Sequence, residues 1–194
     1  MIITGALHDS HPKIQELHPF AQAVAVCTWH TVLMIVWSEV RVVDDLKLRL
    51  VATKSGLRAV QFPPFGAAEG DRNESDKVMV EAAAELQAYF AGNLRVFCVP
   101  LDMQGTDFQI AVWNQLLKIP YGETRSYAQI AEGIGRPKAI RAVGAANGNN
   151  PLPIVVPCHR VIGSNGRLTG YGGGLPLKKR LLELEGAWSL GLAM

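Results

Sequence analysis

One stretch of the chain, Ile154-Val155-Val156-Pro157-Cys158-His159-Arg160-Val161, gathers the residue types that nucleophilic sulfur chemistry needs. A thiol reacts as its thiolate, and an adjacent imidazole and guanidinium are the groups that lower a cysteine pKa. The apolar residues ahead of Cys158 read as a buried strand, and Pro157 fixes the backbone where the cysteine emerges. A buried structural cysteine is the alternative, since that is the commonest fate of a free thiol. The Pro-Cys-His-Arg context favours a reactive nucleophile.

The chain has 194 residues, enough for one large domain or two small ones with real cores. Its three cysteines are far apart, which gives no disulfide framework and points to a reducing, cytoplasmic setting. Net charge is +2 but unevenly spread. Residues 1–103 hold 9 Lys/Arg against 12 Asp/Glu, whereas residues 104–194 hold 10 against 5. The half that carries Cys158 is therefore basic, which suits an anionic partner. The run from Phe20 to Trp37 is the one apolar stretch resembling a membrane or signal segment. It is interrupted by Gln22, Thr28, His30 and Thr31 and lacks a cationic start, so buried strands are expected and no membrane partner.

Two kinds of element must position the cysteine. Residues 24–36 are expected to supply one or two strands, and residues 46–52 and 57–62 a β-hairpin with Gly56 in its turn. Residues 69–76 read as loop. Residues 77–91 read as a helix with Val80, Ala84, Leu86 and Phe90 inward, stopped by Gly92. This predicts an α/β unit over residues 1–92 and a crossing over 93–104.

Residues 105–190 have a helical character. Thr106 with Gln109 forms a capping box for a helix to about Lys118, with Phe108, Val112, Leu116 and Leu117 inward. Ser126 with Gln129 forms a second box, opening a short helix that Gly135-Arg136-Pro137 breaks, and a helix resumes over 138–146. Two short helices about a three-residue break have helix-turn-helix spacing. The second carries Lys138 and Arg141 among small residues, Ala142, Gly144, Ala145 and Ala146, which allow close approach to a nucleic-acid backbone or tight helix packing. Gly163-Ser164-Asn165-Gly166 reads as a tight turn, Gly170 to Gly174 as a loop around Tyr171, and 176–184 as the last helix.

These motifs, in this order, resemble the methylated-DNA-protein-cysteine methyltransferases, also called 6-O-alkylguanine-DNA alkyltransferases. The likeness covers residues 46–188 and rests on Gly105-Thr106-Asp107-Phe108-Gln109, Pro120-Tyr121-Gly122-Glu123, the run from Arg136 to Gly144, Asn150-Pro151, Pro157-Cys158-His159-Arg160 and Gly170-Tyr171. It implies a ribonuclease H-like α/β N-terminal domain followed by a mainly helical, winged-helix-like C-terminal domain with the helix-turn-helix. The implied reaction flips an alkylated guanine out of the duplex and moves its alkyl group to the protein's own cysteine, once per molecule. Alkylated thymine is a second candidate substrate, and no cofactor is implied.

By the same resemblance Cys158 is the nucleophile, His159 its base through a water, and Glu185 the group that orients the histidine. Tyr127 matches the tyrosine that donates to the flipped base's ring nitrogen, and Arg141 the arginine that holds the vacated space. Lys138, Arg125, Ala139, Ala142 and Asn147 would face DNA, docked through the minor groove, with Arg160 as a further phosphate contact or a buried ion-pair partner. Asn150, Val161, Ser164, Tyr171, Gly172 and Gly173 would form the substrate pocket with Tyr127. The protein is expected to be a monomer in solution, with cooperative binding along DNA left open.

Two other functions share these residues. A thiol hydrolase would use Cys158, His159 and Glu185 with an oxyanion hole and would turn over repeatedly. A non-catalytic sensor of alkylated DNA would bind without reacting, but such relatives lack the acceptor cysteine. Cys27 and His30 have metal-ligand spacing, and Cys98 with His8, His11 or His18 would be needed to complete four. No compact second pair exists, so no metal is expected.

Overall fold

In the computed structural model, residues 34–188 are described. Residues 24–33 of the expected strand region lie outside them, as do Cys27, His30 and the three N-terminal histidines.

Alternation along the first strand sets the inner face of the sheet. In β1 (Val36–Val43) the residues Val36, Ser38, Val40 and Val42 are buried while Trp37, Glu39 and Arg41 face the other way. Antiparallel pairing sets Val36 against Ala52, Ser38 against Leu50 and Val40 against Leu48 of β2 (Leu46–Thr53), so the same face continues inward. β3 (Gly56–Gln61) pairs antiparallel with β2 as the expected hairpin. β4 (Asp71–Arg72), which reads as loop in the sequence, adds two parallel residues to β1 and completes the order β3-β2-β1-β4. Such a short edge carries no periodicity to read.

The helix α1 (Lys77–Phe90) covers the inner face of the sheet. Asp76 caps it by accepting from the Val78 and Met79 amides, and Gly92 follows its end at φ +77°. Its buried side is Met79, Ala82, Leu86, Tyr89 and Phe90. Val80, expected inward, is 54% exposed, and Ala84 is exposed too. The helix is alanine-rich, so two neighbouring phases look equally apolar, and the sheet selects the one with the larger side chains. After α1 the chain passes beside β3, where Leu57 N–H donates to Pro100 O at 2.7 Å and Asp102 N–H to Leu57 O at 2.8 Å.

Both capping boxes form. Thr106 and Gln109 open α2 (Asp107–Leu116), whose buried residues are Val112, Trp113 and Leu116, whereas Leu117, expected inward, is 42% exposed at the cap. A two-residue strand β5 (Arg125–Ser126) leads into α3 (Tyr127–Gly133), opened by Ser126 and Gln129. The next helix, α4 (Ile140–Gly148), starts two residues later than the sequence predicts, because residues 137–138 form a turn and Ala139 offers no side-chain cap. Trp113 Nε1–H donates to Ala146 O at 2.9 Å, fixing α4 on α2.

The segment before Cys158 is not a strand. Pro151, Pro153 and Pro157 remove the amides a ladder would need, and Ile154 is buried at φ +77°, a left-handed conformation costly for a β-branched residue. Val156 N–H closes the resulting turn onto Leu152 O at 2.8 Å. Cys158–Arg160 form a single 3₁₀ turn, followed by β6 (Val161–Ile162), which runs parallel to β5. That ladder brings the start of α3 beside the residue next after the turn. The final helix is α5 (Leu175–Leu184). Among the described residues no helix is long and apolar enough to cross a membrane.

Candidate active site

Two separate segments, the Cys158–Arg160 turn and α1, converge on Glu185, the residue that ends α5. Its Oε1 accepts from His159 Nε2 at 2.9 Å and from Arg160 Nη2–H at 2.8 Å, and its Oε2 accepts from Arg160 Nε–H at 2.8 Å. Tyr89 Oη, arriving from α1, donates to Oε1 at 2.6 Å. Burial alone would push the Glu185 pKa up, but the hydrogen bonds from His159 and Arg160 outweigh it and hold the group at about 2. The carboxylate is therefore anionic throughout the physiological range. His159 is fully buried, and that burial holds its pKa below the usual imidazole value against the pull of Glu185. With Nε2 engaged by Glu185, Nδ1 is buried and without a protein partner. The ring is thus oriented by the carboxylate at one nitrogen, and the other remains for proton transfer.

Cys158 is 4% exposed and lines a cavity of about 130 Å³. Asn147, Gly148, Asn150 and Pro153 form one side of it, Gly170, Tyr171 and Gly172 another, and Val60 and Phe62 of the sheet layer a third. Burial pushes the Cys158 thiol up to about 11, with Asn150 and Lys178 pulling the other way. This corrects the expectation that its neighbours lower the thiol pKa. The Arg160 guanidinium turns away to Glu185 and to Ile119 O, at 2.7 Å from Nη1, and His159 is neutral. The thiol rests protonated, so chemistry here requires its proton to be removed during the reaction.

The frame around the cysteine is hydrogen-bonded. Asn150 Nδ2–H donates to Val156 O at 2.8 Å and its Oδ1 accepts from Leu152 N–H at 3.0 Å, so it ties the end of α4 to the cysteine segment. Lys178 is fully buried, and its Nζ donates to Val161 O at 2.6 Å and Thr169 O at 3.0 Å. Burial brings its pKa down to about 8. The Tyr171 ring lies 6.4 Å from the His159 ring, and its hydroxyl is buried without a protein partner.

Not all of the expected residues meet here. Tyr127 is half-buried outside the cavity, its hydroxyl 2.8 Å from Thr169 Oγ1. Val161 supports the site through its carbonyl, Gly173 packs on Leu177 and Phe62, and Ser164 lies exposed in its turn; none of them lines the cavity. Asn147, expected to face DNA, is 4% exposed and lines the cavity instead, because it falls on the buried side of α4 with Val143 and Ala146. On the outer side of that helix Arg141 and Ala142 are exposed, as is Lys138 ahead of it, with Ala139 half-covered. Arg125 is held by Glu123 at 2.7 Å. Arg160 is buried at 6% exposure, which settles it as an ion-pair partner rather than a phosphate contact. The sequence reading missed Tyr89, Val60 and Phe62, because nothing local marks a residue in the α/β half as reaching a site in the helical half. Among the described residues no three His, Cys, Asp or Glu side chains cluster to hold a metal.

Residues 107–187 match the family model described as the DNA-binding domain of 6-O-methylguanine DNA methyltransferase. A methylated-DNA-protein-cysteine methyltransferase of Methanosarcina acetivorans is 50% identical over 144 residues, covering 74% of this chain and 88% of that protein. One from Mycobacterium tuberculosis is 65% identical over 104 residues, which span 54% of this chain and 63% of the relative. Among solved structures, Mycobacterium tuberculosis OGT in complex with DNA superposes with a TM-score of 0.71 at 47% identity, covering 78% of this chain and 92% of that one. The O6-methylguanine methyltransferase of the same organism gives 0.72 at 45% identity, over 81% and 96%.

Proposed function

The chain belongs to the methylated-DNA-protein-cysteine methyltransferases, and from that premise we propose which residues carry its chemistry. It is a direct-reversal DNA repair enzyme that takes the alkyl group from 6-O-alkylguanine in DNA onto a cysteine of its own. We assign the acceptor to Cys158. The observation that carries this assignment is the cavity with Cys158 in its wall, lined also by Asn147 and Gly148 at the end of α4 and backed by the buried His159–Glu185 pair.

In the proposed step His159 Nδ1 receives the thiol proton through a water. Sulfur attacks the alkyl carbon, the carbon–oxygen bond to guanine O6 breaks, and the electron pair passes into the purine. Tyr127 donates a hydrogen bond to the ring nitrogen as negative charge gathers there, exchanging Thr169 for the base as its hydrogen-bond partner. The proton held by His159 returns through the water to the purine anion, which becomes guanine. Glu185, held anionic, stabilises the imidazolium that forms. The product is a thioether with no easy leaving group, so each molecule reacts once.

DNA is the partner, and we place α4 in its minor groove with Arg141 entering the stack and Lys138 on a phosphate. The minor groove offers a poor sequence code, which suits a protein that must find lesions in any sequence. We read the sheet with α1 as a ribonuclease H-like layer, the helices with the β5–β6 ladder as a winged-helix-like module, and the protein as a monomer in solution.

The test is intact mass and peptide mapping after incubation with a duplex containing 6-O-methylguanine. One methyl on Cys158 per protein, never more, is expected, with Cys158→Ala binding the duplex and taking none. Binding of the lesion duplex without modification of Cys158 would make the chain a sensor instead.

A further inference from the structure

Two of the three sides of the cavity beside Cys158 differ in character. One is Asn147, Gly148, Asn150 and Pro153, fixed by the Asn150 hydrogen bonds and by Trp113 on α4. The other is the Gly170–Gly172 backbone, which contributes a single large side chain, Tyr171. The bulk beside this second wall comes from the third side. Phe62, just past β3, packs its ring 5.7 Å from that of Tyr171. A Cβ placed on Gly173 would lie 3.1 Å from Phe62 Cζ, and one on Gly172 would lie 3.9 Å from the ring. Phe62 therefore occupies the room that side chains on the glycine loop would take, and it faces the cavity directly.

The chain just before Phe62 is also tied to the segment that leads to the acceptor. Val60, two residues earlier, lines the same cavity, and its N–H donates to Pro151 O at 2.8 Å. That bond ties the end of β3 to the segment leading to Cys158. Displacement at the alkyl carbon requires sulfur, carbon and O6 to lie in line, so any group on that carbon larger than hydrogen must project sideways toward a wall. On the fixed side it meets Pro153; on the other it meets Tyr171 and Phe62.

From this geometry we infer that Phe62, a residue of the sheet layer, sets the largest alkyl group that the Cys158 cavity admits. The inference rests on the acceptor role proposed above and extends it to substrate range.

The experiment compares single-turnover transfer from matched duplexes carrying 6-O-methylguanine or 6-O-benzylguanine, in the full chain and in Phe62→Ala, Phe62→Leu and Phe62→Trp. The benzyl-to-methyl rate ratio is expected to rise about ten-fold or more in Phe62→Ala, to rise less in Phe62→Leu, and to fall in Phe62→Trp. If Phe62→Ala does not fold, the opposite shifts of the leucine and tryptophan variants decide the matter. Ratios within about two-fold of the unsubstituted protein in every folded variant, including an equal loss on both substrates, would overturn the inference and leave Phe62 a packing residue. A chain whose Cys158 takes no methyl even with Phe62 in place would instead overturn the acceptor assignment, which separates the two failures.

Discussion

Tyr89 Oη and His159 Nε2 meet at one oxygen, Glu185 Oε1, at 2.6 Å and 2.9 Å. Tyr89 belongs to α1 on the sheet, whereas His159 and Glu185 belong to the helical half. The tyrosine competes with the imidazole for the same lone pairs, and its share lowers what the carboxylate can give His159.

Replacing Tyr89 with Phe removes that donor and keeps the ring packed against Phe90, Phe97 and Tyr121. Glu185 then leans more heavily on His159, which favours the imidazolium and weakens the base at low pH. The groups facing His159, namely Glu185, Arg160, Lys178 and the Tyr171 ring, are otherwise unchanged. The acid limb of the single-turnover transfer rate is expected to move to higher pH, with a stability loss of about 1.5–3 kcal/mol for a lost bond to a charged group. An unshifted limb would show that Tyr89 only packs.

In the DNA-free protein, alkylation of Cys158 by iodoacetamide should be slow at pH 7 and climb steadily past pH 9, because burial pushes the thiol up to about 11. A titration midpoint below pH 8, read by peptide mapping, would mean that the thiolate is formed before substrate arrives.

Acid should unfold the protein in two overlapping windows. Burial depresses the His159 pKa, so the unfolded chain binds that proton more readily, and stability falls as pH drops below about 6.5. Glu185 is depressed from 4.5 to about 2, so its contribution is whole above 4.5 and disappears as pH falls toward 2. Urea midpoints measured at pH 7, 5.5 and 4 should decrease in that order, and Glu185→Gln should flatten the lower part of the curve. A constant midpoint would contradict both assignments.

Lys138 is exposed one residue before the Ala139 cap of α4. Its replacement by Ala should weaken binding to duplexes of different sequence by a similar factor and reduce the salt slope of log K by about 0.9. Fluorescence anisotropy over a salt series measures both, and an unchanged slope would remove Lys138 from the phosphate contacts.

Local signals predicted local structure well. The Thr106–Gln109 and Ser126–Gln129 boxes and the hairpin turn at Gly56 need only a few neighbouring residues, and all formed. Cys158 and His159 stand together in one motif, whereas Glu185 was expected only from the family resemblance, and the structure places its carboxylate 2.9 Å from His159 Nε2. Features set by packing were not legible. The strand expected before Cys158 yields to three prolines and a left-handed Ile154, and the inward phase of α1 is chosen by the sheet. The Cys158 pKa is set first by burial, which no local signal shows, and the Arg160 guanidinium is drawn to Glu185, 25 residues along the chain from it.

The Val60–Pro151 hydrogen bond has a bearing on how such a protein can be cut and recombined. Chimaeras that trade the sheet layer between relatives would exchange part of the lining of the Cys158 cavity along with it. Crossover points for shuffling therefore belong inside surface loops of one half, since a junction near residue 104 would separate Tyr89 and Phe62 from the centre they serve.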